Sequence, residues 1–124
     1  MQQKGERVSV VDDSESVRES LPGLLEQAGY SVQTFDSAEA FLAAEALNQT
    51  DCLVLDVALP GMSGPALQRQ LERLGRAMPI VFITAHEDAG LGRRLCDQGA
   101  SACLFKPFSD SALLEAVHAA LQTG

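Results

Sequence analysis

The sequence predicts an α/β fold in which helices cover both faces of one parallel sheet. Two observations lead there. Short apolar runs alternate five times with amphipathic stretches along the chain, an order that favours right-handed crossovers and parallel strands. The runs themselves, such as Cys52-Leu53-Val54-Leu55 and Ile80-Val81-Phe82-Ile83, are apolar without interruption, as strands buried on both faces are.

The first strand is expected over residues 7–11 and the first helix over 15–28, where Val17, Leu21, Leu24, Leu25 and Ala28 form an apolar stripe at helical spacing. Pro22-Gly23 falls inside that helix. Proline removes the bond to the Arg18 carbonyl at a cost of ~3 kcal/mol unless the helix kinks, so a kink is predicted. A second strand over 31–35 and a helix over 38–46 follow. The third strand, 52–56, ends on Asp56 before the turn sequence Leu59-Pro60-Gly61-Met62-Ser63-Gly64, with a helix over 64–74. The fourth strand spans 79–84. The next helix, 89–98, contains Gly90 and Gly92, each costing about 1 kcal/mol against alanine. It should be short, frayed at its start or mobile, or a loop simply begins there. A fifth strand over 102–106 leads to a last helix over 110–121 with Leu113, Val117 and Leu121 on one face.

The 124 residues suit one domain, read as 1–124, and the 46 % hydrophobic content supports a packed core. No apolar run approaches the length of a membrane span, and Met1-Gln2-Gln3-Lys4-Gly5-Glu6-Arg7 lacks the apolar stretch of a secretion signal. Cys52, Cys96 and Cys103 are odd in number, sit in apolar segments and form no C-x-x-C. They read as buried free thiols in a reducing cytosol. Nine Lys plus Arg against 17 Asp plus Glu leave a net charge of -8, which opposes direct binding of nucleic acid.

Polar groups stand at the C-terminal ends of four apolar runs: Asp12-Asp13, Asp56, Thr84 and Lys106-Pro107. Open α/β sheets bind ligands at that edge. Three crowded carboxylates repel one another and favour a cation, and hard oxygen ligands with water suit Mg²⁺. Asp13 and Asp56 are expected to ligate directly, with the Ala58 backbone carbonyl as a third protein oxygen and Asp12 acting through water. As an alternative, Asp12 or Asp13 caps the helix that begins near Glu15, which explains one acid and leaves Asp56 unexplained. Lys106 offers a positive charge opposite the acids, and a cis bond to Pro107 would fix its direction. Thr84 offers a hydroxyl.

The segments V-V-D-D, L-V-L-D-V-A-L-P-G-M-S-G, I-V-F-I-T-A and L-F-K-P-F, in this order and spacing, resemble the receiver domain of two-component response regulators. The resemblance runs from about Arg7 to Leu121. In wording it is nearest to receivers of the NarL/FixJ type, which precede helix-turn-helix transcription outputs. It implies a flavodoxin-like, doubly wound, five-stranded sheet of order 2-1-3-4-5 with five helices. It further implies that Asp56 is the phosphoacceptor, taking a phosphoryl group from a sensor histidine kinase with Mg²⁺. Thr84, Ala85 and Lys106 would then bind the phosphoryl oxygens and switch the face made by the fourth helix, fifth strand and fifth helix. Ala58 and His86 would flank the phosphoryl group and tune its hydrolysis. The partners implied are that kinase, an output domain or effector protein, and a phosphorylation-dependent homodimer for which Arg93 and Arg94 are candidate contacts. The location implied is cytoplasmic. The chain departs from the family at Cys103, where a rotating Tyr or Phe often stands. A thiol sweeps less volume, so coupling from Thr84 would pass through backbone shifts or other side chains. Phe105 and Phe108 read as core and turn packing, and His118 as surface.

Other functions fit less well. A turnover phosphatase using an aspartyl-phosphate needs a second acid two residues after the nucleophile, where this chain has Ala58. A nucleotide or flavin site is disfavoured because no G-x-G-x-x-G follows the first strand and the chain has no Trp and one Tyr, Tyr30, to stack a flavin. A pseudo-receiver that acts only as a surface would have no use for the full set Asp12, Asp13, Asp56, Thr84 and Lys106.

Overall fold

The structure is a computed structural model and describes residues 5–85 and 89–123. In chain order the elements are β1 (Arg7–Val11), α1 (Glu15–Gln27), β2 (Ser31–Phe35), α2 (Ala38–Leu42), a 3-10 turn (Glu45–Asn48), β3 (Cys52–Asp56), α3 (Gly64–Arg73), β4 (Ile80–Thr84), α4 (Ala89–Asp97), β5 (Ala102–Phe105) and α5 (Asp110–Thr123). The strands form one parallel sheet in the order β2-β1-β3-β4-β5.

Strand pleating explains the uninterrupted apolar runs. Successive residues face opposite sides, and both sides are covered. Val11, Leu53, Leu55 and Phe82 enter one core with Phe41, Leu67, Leu71 and Leu95 of α2, α3 and α4. Val8, Val10, Val54, Val81 and Ile83 enter the other with Leu21, Leu25, Leu113 and Val117 of α1 and α5. This two-sided packing leaves no polar strand face in β3 or β4, where every residue is buried.

The structure corrects two expectations. The helix expected over 38–46 ends at Leu42, and a separate 3-10 turn follows an extended Ala44. Residues five apart on one helix lie about 140° around its axis, so Phe41 and Ala46 could not both face the sheet from a continuous helix. The break lets both bury, at 0 % and 6 % exposure. The thiols also differ from their reading. Cys52 is buried, Cys103 half-buried and Cys96 exposed. On α4 it is Leu95 that takes the core position, which turns the next residue outward. At other boundaries β4 begins at Ile80 rather than Pro79, β5 ends at Phe105, and α1 runs through Pro22 as one helix. Phe108 packs on the second core, and His118 is exposed.

Candidate functional site

Because all strands run the same way, their C-terminal ends share one edge. Asp12 and Asp13 follow β1, Asp56 ends β3, Thr84 ends β4 and Lys106 follows β5. Carboxylate oxygens of Asp12, Asp13 and Asp56 lie within 4.8 Å of one another. The Lys106 Nζ is 2.9 Å from Asp12 Oδ2 and 4.0 Å from Asp56 Oδ2. Asp12 is fully buried, Asp56 is 5 % exposed, and Asp13 is exposed to solvent.

Each side chain is positioned by its own backbone surroundings. Asp12 is held from three directions. Its Oδ1 accepts the Ser14 backbone N–H at 2.8 Å, its Oδ2 takes the Lys106 ammonium, and its carbonyl accepts the Arg18 guanidinium at 2.9 Å. Neither acid caps α1, since the N-cap position belongs to Ser14. Asp56 Oδ1 accepts the Ala58 backbone N–H at 3.3 Å. Behind it, Gly64 starts α3 so close to the strand that a Cβ there would collide with the Asp56 carbonyl oxygen, which accounts for glycine at that position. Ser63 caps the same helix, its Oγ accepting the Ala66 N–H at 3.2 Å.

On the β4–β5 side Thr84 is fully buried, and its carbonyl accepts the Lys106 N–H at 2.8 Å. The Lys106–Pro107 peptide is cis. Ala58, two residues after Asp56, and Ala85, directly after Thr84, are exposed. Cys103 lies on β5 and packs against the core shared with Leu91 and Leu95, and burial pushes its thiol pKa up. His86 lies outside the described residues.

The electrostatics follow from this crowding. Burial, then the neighbouring Asp12 charge, pushes the Asp56 carboxyl up from 3.8 to about 6, while Lys106 and the Ala58 N–H pull the other way. Three carboxylates face one ammonium, so negative charge is left over. The donor set is all oxygen, with no imidazole or thiolate in it, and it fits a hard divalent cation that keeps some of its water. A carboxylate held between a cation site and an ammonium can attack an electrophile that carries anionic oxygens. A cavity of about 200 Å³ lies elsewhere, between β1, β2 and the 3-10 turn, with Arg7, Ser9, Gln49 and Thr50 in its lining and none of the acids. Charge placement rather than cavity size therefore marks the site.

Two contributors carried no sequence signal. Arg18 braces the loop after β1 through a carbonyl oxygen. Glu39, on α2, accepts the backbone N–H of Met62 in the loop after β3. Both partners are main-chain atoms, which any residue supplies, so no pairing of side-chain types points to either contact.

Residues 8–118 match the family model described as the response regulator receiver domain. The transcriptional regulatory protein TdiR of Thauera aromatica is 44 % identical over 114 residues, covering 92 % of this chain and 50 % of that protein. The transcriptional regulatory protein FixJ of Azorhizobium caulinodans is 42 % identical over 114 residues, covering 92 % of this chain and 54 % of that protein. The chain thus spans about half the length of these curated relatives. Among solved structures, FixJ-N superposes with a TM-score of 0.84 at 37 % identity, covering 98 % of this chain and 96 % of that one. The response regulator StyR gives a TM-score of 0.87 at 49 % identity, covering 96 % of this chain and 60 % of that one.

Proposed function

The chain belongs to the response regulator receiver family of two-component signalling, and from that premise we propose that Asp56 is its phosphoacceptor. One observation carries the assignment. Asp56 is the buried carboxylate that ends the central strand β3 with two further acids and the Lys106 ammonium around it.

In this reading an Asp56 oxygen attacks the phosphorus of a kinase phosphohistidine in line. The O–P bond forms, the P–N bond breaks, and the imidazole leaves with the electron pair and takes up a proton. Asp13, Asp56 and the Ala58 carbonyl would hold Mg²⁺, with Asp12 acting through water. When bound, Mg²⁺ supplies charge neutralisation for the phosphoryl oxygens. Lys106 stabilises another of those oxygens, and Thr84 and Ala85 bind the phosphoryl group once it is on Asp56. No general base is needed, because the attacking group is already a carboxylate. Ala58 offers no acid or base for turnover, so the only chemistry is the domain's own phosphorylation and slow dephosphorylation.

The relatives named as transcriptional regulators, and the half of their length that this chain covers, support reading 1–124 as one receiver domain that controls a transcription output. The location is cytoplasmic, and no described helix is long and apolar enough to cross a membrane. Phosphorylation alters the face of α4, β5 and α5, where a homodimer would form. With Cys103 in place of a rotating aromatic, backbone shifts after β4 and β5 carry the signal.

Acetyl phosphate with Mg²⁺ tests the assignment. The expected result is one phosphoryl group per chain, detected by intact mass, and at least ~100-fold less in Asp56→Asn. Equal labelling of that variant would remove Asp56 from its role.

A further inference from the structure

The loop between β3 and α3 carries Ala58 and is closed at its base by main-chain bonds. Val57 N–H donates to the Ile83 carbonyl and Gly64 N–H to the Val57 carbonyl, both at 3.0 Å. Its far bend, Gly61-Met62, is tied differently. The Glu39 carboxylate, on the first turn of α2, accepts the Met62 backbone N–H at 3.0 Å. The same oxygen would lie 2.7 Å from a Cβ at Gly61, whose φ is +74°, so the carboxylate lies directly against the bend. Among the described residues, Asp56 and Glu39 are the only side chains outside the loop that hydrogen-bond residues 57–62.

Two features make this contact more than incidental. Glu39 is solvent-exposed and could be hydrated instead, so it is not a buried acid seeking a partner. Phe41, two residues further on, is fully buried in the core, so Glu39 projects from a fixed base. A carboxylate accepting a backbone N–H is among the stronger hydrogen bonds available.

We propose that Glu39 is a positioning residue. It holds the β3–α3 loop in the shape that presents the Ala58 carbonyl to the cation held by Asp13 and Asp56. The proposal rests on the cation-dependent reading above.

Glu39→Ala removes the acceptor, whereas Glu39→Gln keeps an oxygen at the same reach. Calorimetric Mg²⁺ titration should show binding about three- to tenfold weaker in Glu39→Ala and near wild type in Glu39→Gln. Amide exchange at Met62, measured without Mg²⁺, should accelerate in the alanine variant alone. A merely structural role would lower the melting temperature and speed Met62 exchange but leave Mg²⁺ affinity unchanged, which would overturn the proposal. So would a glutamine variant that weakens as far as alanine does. Failure of the wild-type protein to bind Mg²⁺ would be a separate result. It would remove the cation reading itself, and the positioning role with it.

Discussion

Strands β3 and β5 flank the same neighbour, β4, yet they deliver their charged ends in different ways. β3 is paired on both sides, by β1 and β4, and all five of its residues are buried. β5 is an edge strand paired only with β4, and all four of its residues are half-buried. Asp56 therefore stands on a floor that is fixed from every direction. Lys106 comes from a strand with one open side, held by a main-chain bond to Thr84 and an ion pair with Asp12. Asp56 is thus set by the more rigid strand and Lys106 by the more yielding one, which suits the roles of acceptor and responding group proposed for them. Local stability in proteins divides along such differences in burial and pairing.

Truncation puts this contrast to its hardest test. Leu55→Ala, on β3 at 0 % exposure, should cost ~3–5 kcal/mol in urea unfolding, whereas Leu104→Ala on half-buried β5 should cost about 1–2 kcal/mol. Equal losses would break the comparison.

A smaller effect concerns pH. The folded-state pKa of Asp56 is raised to about 6 from 3.8, so the fold favours the protonated acid. That stabilising contribution is complete below pH 3.8 and is lost as pH rises through about 6. For the Mg²⁺-free protein the loss should be on the order of 1–3 kcal/mol. Asp56→Asn should flatten this part of the stability profile and be the more stable protein at neutral pH. Parallel wild-type and variant profiles would show that the carboxylate sits at β3 without electrostatic strain.

The smallest expected effect is at Cys103. Cys103→Ala on the edge strand should change stability by less than about 1 kcal/mol and leave acetyl phosphate labelling intact. A large loss of labelling would show that β5 is as finely set as β3.

The same contrast explains what could be read from the chain. Asp56, Thr84 and Lys106 were legible because each interrupts or follows an apolar run, and parallel strands bring such ends together. The two-sided core was legible from the unbroken runs of β3 and β4. The break after Leu42 was not, because residues 38–46 are good helix formers and only the five-residue interval from Phe41 to Ala46 opposes a continuous helix. The exposure of Cys96 was in fact signalled by Arg93, Arg94, Asp97 and Gln98 around it, with Leu95 the one apolar residue at its side. Arg18 and Glu39 escaped notice because each meets a main-chain atom rather than a complementary side chain.

The ion pair between Lys106 and Asp12 gives the ammonium a resting berth beside Asp56. Any anion that arrives on Asp56 must compete with that berth for the same positive charge. If Asp56 is phosphorylated as proposed, Asp12 would help set how readily the lysine leaves its first partner, so a residue other than the one modified would tune the response.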